Sequence, residues 1–285
     1  MVRNLAQYAN AYNNGCVMHS PFYKSSVPVV GAGLWADLSM GAGTPKFNAY
    51  VGGQLEATPL SGVGNTGLYL GSYNGKKYIH RLIANSNTAN SAPYFLQLCD
   101  YLMFYPLVDL DSLDLQEMDN TQFLTRSADG VGVRVMVVLS SPMAAACNCT
   151  VNYINQNGDE KSVTFTLLSS SVLGAIISTA STQSTSNTAI TPFMPLAAGD
   201  TGVRRITSVQ MVSSAGGFAT FVLVKPLIRL QLQEISIPNE VEPVRQMAQM
   251  KEVEGGACLN FIGLQGGTGT VTALQGILET VNIGE

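Results

Sequence analysis

Apolar residues in this chain come in short runs that glycine, proline or a polar cluster soon interrupts, and the clearest runs alternate instead of recurring at helical spacing. That pattern suits strands, whose side chains point to opposite faces in turn, and it leaves little room for long helices. Residues 31–75 carry eleven glycines, which predicts short strands at 47–51 and 68–73 between tight turns. Residues 150–154 and 162–166 alternate polar and apolar positions around Asn157-Gly158-Asp159. This predicts a β-hairpin. A second hairpin is predicted from 203–212 and 218–224 across a turn at 213–217, ending at Pro226, with a further strand at 227–237.

Residues 94–108, with Tyr94, Phe95, Tyr101, Phe104 and Tyr105 between Pro93 and Pro106, read as a core strand pair or one bent strand. Residues 132–140 read as a valine-rich strand. One or two helical turns are expected at 5–12 and about two at 243–251, and the Ser/Thr/Ala/Asn stretch 178–191 reads as a surface loop. The fold class is therefore mainly β: a β-sandwich or jelly-roll-like fold with an extended N-terminal arm and few short helices. The expected division is an arm at 1–30, a β-sandwich core at 31–240 and a short helix with a glycine-rich C-terminal extension at 241–285. A split of the core into two subdomains near 130–145 is left open.

Charged residues make up 12% of the 285, against roughly 25% in an ordinary soluble domain. The net charge is −4 and the only adjacent basic pairs are Lys76-Lys77 and Arg204-Arg205, so no basic field exists to hold nucleic acid. No apolar stretch approaches the roughly 18 residues of a membrane span, and the first residues lack the apolar segment of a secretory signal. The five cysteines, Cys16, Cys99, Cys147, Cys149 and Cys258, are odd in number and unpaired in spacing, as expected of reduced thiols made in a cytosol. A surface with so few ions points to cover by other protein copies; a homo-oligomer, with a trimer as the guess, is expected.

The chemical motifs are weak. Residues 62–67 spell GxGxxG, but Leu68-Tyr69-Leu70 does not open the helix that a dinucleotide loop requires. Asp109, Asp111, Asp114, Glu117 and Asp119 read as an exposed turn with capping aspartates. A calcium or magnesium ion at Asp109, Asp111 and Asp114 is the weaker alternative, because Asp114 stands where an EF-hand places its sharp-turn glycine. His19 and His80 are the only histidines, and His80 reads as a hydrogen-bonded structural residue. Trp35 reads as a packing anchor. Neither GxSxG nor HExxH occurs, so no catalytic residue, cofactor or enzymatic activity is expected.

Several strings together resemble tailed-bacteriophage virion structural proteins: Leu98-Cys99-Asp100-Tyr101-Leu102 with Phe104-Tyr105-Pro106, Met118-Asp119-Asn120-Thr121, Asp129-Gly130-Val131-Gly132-Val133, Gly199-Asp200-Thr201-Gly202-Val203-Arg204 and Leu223-Val224-Lys225-Pro226-Leu227. The resemblance spans roughly residues 30–237. It implies a β-rich protein made in the bacterial host cytoplasm and assembled into the virion. The long charged spine helix of a major capsid protein is missing, so a capsid decoration or cement protein is the first expectation, with the major capsid protein or other virion proteins as partners. A tail or neck component, receptor- or glycan-binding, is the alternative. Tyr8, Tyr12, Phe22 and Tyr23 are the expected interface anchors, and deletion of residues 1–25 is expected to leave a folded core.

Overall fold

The computed structural model describes residues 5–14, 16–62, 66–71, 76–88, 92–181, 191–247, 249–266 and 273–283. Its centre is a closed β-barrel. Strand Phe218–Leu232 pairs with Arg134–Leu139, and the ring continues through Ala175–Ile176, Trp35–Asp37 and Leu259–Gln265 to Tyr94–Asp109, which pairs back onto Phe218–Leu232. Alternation along these strands sorts their side chains. Trp35, Tyr101, Met136, Val138, Val222 and Ile262 form one apolar cluster within the ring. Their neighbours Leu98, Val135, Val137, Phe221, Leu223 and Phe261 face outward into a second, larger core. Burial on both faces explains why residues 94–108 are apolar almost without interruption.

Two further sheets supply the other side of that larger core. A flanking sheet runs in the order Asn239–Val241, Lys76–Ser86, Leu274–Ile283, Val17–Lys24 and Gly43–Thr44, with Glu252–Val253 also paired to Lys76–Ser86. Phe22 packs on Phe261 of the barrel with ring centroids 4.5 Å apart, an arrangement that adds about 0.5–1.5 kcal/mol to area burial. The third sheet, the hairpin sheet, orders Glu160–Leu167, Cys147–Asn155, Val203–Met211 and Gln116–Glu117. In its hairpin Asn152 lies opposite Ser162, and Gly158 takes φ 91°. The fold is thus mainly β and sandwich-like, with two short α-helices among the described residues, Leu5–Asn13 and Pro243–Gln246. No helix of the described residues is long and apolar enough to cross a membrane.

Several local expectations are corrected. The stretch 47–51 and the described residues 68–70 run without ladder pairing. The 203–212 and 218–224 segments are not a hairpin: the first pairs in the hairpin sheet and the second in the barrel. The intervening turn is captured elsewhere, because the Ala215 N–H donates to Leu110 O and the Ala144 N–H donates to Ala215 O. Pro226 does not end a strand; Phe218–Leu232 runs through it with a shift of register beside it. Its missing N–H costs nothing there, because pairing to Arg134–Leu139 has already stopped at Val224.

The 243–251 helix is a single turn, Pro243–Gln246. Ser178 and Thr179 are buried, not looped out: the Ser178 hydroxyl donates to Pro192 O at 2.6 Å and the Thr179 hydroxyl to Thr166 O at 2.7 Å. Residues 182–190 of that stretch, and 63–65 of the GxGxxG string, lie outside the described residues. The glycine-rich tail is not an outreaching extension either. Leu259–Gln265 closes the barrel, and Leu274–Ile283 lies between Lys76–Ser86 and Val17–Lys24.

Candidate assembly surface

The helix Leu5–Asn13 has small residues at Ala6, Ala9 and Ala11 and rings at Tyr8 and Tyr12. It rests on the outer face of the flanking sheet through those rings, whose centroids lie 5.6 Å (Tyr8) and 5.0 Å (Tyr12) from His80. The Tyr8 hydroxyl is hydrogen-bonded to His80 Nδ1. None of the helix residues is buried, and Leu5 is 71% exposed. The four expected anchors therefore divide. Tyr8 and Tyr12 sit on the helix and Tyr23 is half exposed, whereas Phe22 is buried in the chain's own core and is not free to meet a partner.

Beneath the helix, Glu279 draws together a guanidinium and two imidazoles from neighbouring strands. Arg81 donates to both its carboxylate oxygens, Nε at 3.0 Å and Nη2 at 2.8 Å, with His19 Nδ1 at 3.3 Å and His80 Nε2 at 3.8 Å. Burial opposes the Glu279 charge, but the Arg81 hydrogen bonds and charge outweigh it and hold the carboxyl below its ordinary range. Burial lowers the His80 pKa, with Glu279 and Glu242 acting in the opposite direction. Sequence reasoning placed His80 as structural but missed Glu279, which no local pattern ties to residues 80 and 81.

The acidic segment is a set of turns. Asp109 Oδ1 accepts the Asp111 N–H at 2.8 Å, Asp119 Oδ1 accepts the Thr121 N–H at 3.1 Å, and Ser112 Oγ accepts the Asp114 N–H at 3.3 Å. Among the described residues no three His, Cys, Asp or Glu side chains gather where they could hold a metal ion. Asp109 thus serves local backbone, and Asp111 Oδ1 accepts the Ser214 hydroxyl, so the three aspartates do not converge on one another.

Two carboxylates lie deep in the molecule. Asp37 accepts from Tyr101 at 2.7 Å, from the Ser39 hydroxyl and backbone N–H at 2.9 Å each, and from Tyr50. Burial nevertheless dominates and raises its pKa. Asp100 is bound by Arg126 through Nε at 3.1 Å and Nη2 at 3.0 Å and by the Cys258 N–H at 2.9 Å. Arg126 also donates to Leu60 O and Tyr101 O. Lys24 reaches Gly41 O at 3.0 Å and Pro45 O at 2.6 Å, with its pKa lowered by burial to about 8. Every one of these groups is committed to protein partners, which is the pattern of a satisfied core. Trp35 is buried in the barrel, in line with its reading as a packing anchor.

On the outer side of the hairpin sheet two shallow clefts, of 340 and 520 Å³, meet at Arg205. Phe123, Leu124 and Ile154 line the first; Glu117, Asn152, Glu160 and Ser208 line the second. The Arg205 guanidinium lies 5.7 Å from the centroid of the Phe123 ring, within cation–π range.

No protein-family model matches this chain and no curated protein is similar to it. Solved structures of infectious bursal disease virus align at low similarity. The Gt strain structure has 9% identity and a TM-score of 0.21, covering 94% of this chain and 81% of that one. The VP2 subviral particle has 8% identity and a TM-score of 0.21, covering 94% and 80%. Alignments at that level assign nothing to this chain.

Proposed function

We propose that this chain is a non-enzymatic structural component of a virus particle: a capsid decoration or cement protein of a tailed bacteriophage, made in the host cytoplasm and carried in the virion. In this reading it packs as a homo-oligomer, a trimer, against the major capsid protein or other virion proteins. The observation that carries the reading is the helix Leu5–Asn13. It buries none of its residues on its own chain while presenting Leu5 and Tyr12 to the outside. A nine-residue helix is too short to be stable on propensity alone, so a second surface is the natural source of its order. The low ionic content fits, since interface cores exclude charge and gain from aromatic anchors.

The mechanism is mechanical. The barrel and its two flanking sheets form the rigid body, and the helix is the element that another copy or the shell covers. Sedimentation velocity of the purified chain should show a discrete oligomer, and an antibody against it should label intact particles of the encoding virus at regularly repeated positions. A strictly monomeric chain that is absent from particles overturns the proposal. A tail or neck position with receptor or glycan binding is the second reading, favoured by the cleft at Arg205.

A further inference from the structure

The cleft on the hairpin sheet has three features that the assembly reading does not use. The first is uncommitted polar chemistry of both kinds. Arg205 makes no ion pair among the described residues, and the Glu117 carboxylate likewise has no partner there. Asn152 spends its amide N–H on Ser208 Oγ at 2.9 Å and keeps its carbonyl oxygen open. Glu160 receives the Thr207 hydroxyl at 3.0 Å on one oxygen and keeps the other. The second is an apolar platform: Phe123 is 59% exposed, with the Arg205 guanidinium 5.7 Å from its ring centroid. The third is rigidity, since Asn152, Glu160, Arg205 and Ser208 all stand on paired strands.

Charge then selects the ligand class. Arg204, the other guanidinium in the cleft, is spent on the carbonyls of Asp129 at 3.2 Å and Gln156 at 2.6 Å. What remains is one free guanidinium against the carboxylates of Glu117 and Glu160, so an anion meets no positive field. An apolar protein partner would leave those charges buried without partners, which interface cores avoid. A polyhydroxylated neutral molecule satisfies donors and acceptors alike and lays its C–H face on the ring. Both cleft volumes fall in the small-ligand range of about 300–1,000 Å³.

We infer that this cleft binds a neutral carbohydrate, with Phe123 as the stacking platform and Arg205, Asn152, Glu117 and Glu160 as the polar contacts. The inference deepens the glycan-binding alternative and holds wherever in a particle the chain sits. The test is saturation-transfer NMR and calorimetry on the full chain. The probes are neutral oligosaccharides of glucose, galactose, mannose and N-acetylglucosamine, with oligogalacturonate and inorganic phosphate as anionic arms. At least one neutral oligosaccharide should bind. Phe123→Ala should weaken it roughly tenfold and Asn152→Ala measurably, with unchanged thermal midpoints because Phe123 is largely exposed. Absence of neutral binding, preference for the anionic arms, or full affinity in Phe123→Ala overturns the inference. Sedimentation of Phe123→Ala keeps the two proposals apart: loss of saccharide binding with an intact oligomer bears on the cleft alone, and a monomer that still binds sugar bears on assembly alone.

Discussion

Asp100 and Asp37 illustrate what a chain sparing in ions does with the charges it keeps inside. Asp100 meets Arg126 in a two-pronged, fully buried pair, with the Cys258 N–H and two carbonyls completing the set. Arg126→Met leaves that carboxylate buried without its cation, and should cost about 3–5 kcal/mol in urea unfolding. Nothing near Asp100 in sequence announces the arginine 26 positions on; the pair exists only because the 126 turn folds over the barrel strand. His80 gives a pH dependence with a definite sign. Its folded pKa lies below the ordinary 6.5, so the unfolded or undocked state binds the proton more readily. The contribution is complete above pH 6.5 and is lost as pH falls through the folded value. Amide protection over Leu5–Asn13, with exchange rates corrected for their intrinsic pH dependence, should therefore fall between pH 7 and pH 5, and protection that is flat across that window would disconnect the helix from His80. Glu279, held low, loses its own contribution only below its ordinary 4.5.

Among the elements, Val17–Lys24 revises the truncation experiment. It pairs along its whole length with Leu274–Ile283 and delivers Phe22 to the core. Deletion of residues 1–25 should abolish cooperative melting, whereas deletion of 1–14 should leave the thermal transition nearly intact and remove only oligomerisation; circular dichroism and sedimentation distinguish the two. The strand Phe218–Leu232 makes a similar contrast. Val222 is paired on both sides, to Phe104 and Met136, so Val222→Pro should prevent folding, while Pro226→Ala should shift stability by no more than about 1 kcal/mol. The first hairpin was legible because its turn and both strands are local, with Gly158 supplying the positive φ. The supposed second hairpin was not, because the turn at 213–217 has its partners at Leu110 and Ala144, far away in sequence. Gly217 shows the tightness of that turn: at φ 80° an added Cβ would lie 2.3 Å from Pro142 O.

For the whole molecule, the β class was readable from alternation and glycine spacing, but barrel closure was not. Closure depends on two-residue strands such as Ala175–Ile176, too short to register as a pattern. The cleft escaped notice for a related reason: Phe123, Asn152, Glu160 and Arg205 come from four separate segments. With 12% charged residues, copies that associate through apolar and hydroxyl surfaces should do so almost independently of ionic strength. On the proposed assembly reading, the dissociation constant of the oligomer should stay within a few-fold between low and high sodium chloride, and a steep salt dependence would indicate ionic contacts instead. The flanking sheet carries a last implication. Ser20 lies opposite Leu278, so Val17–Lys24 leaves the ribosome long before the strand it pairs with. Such distant pairing slows folding, and it keeps the flanking sheet open until Leu274–Ile283 has been made.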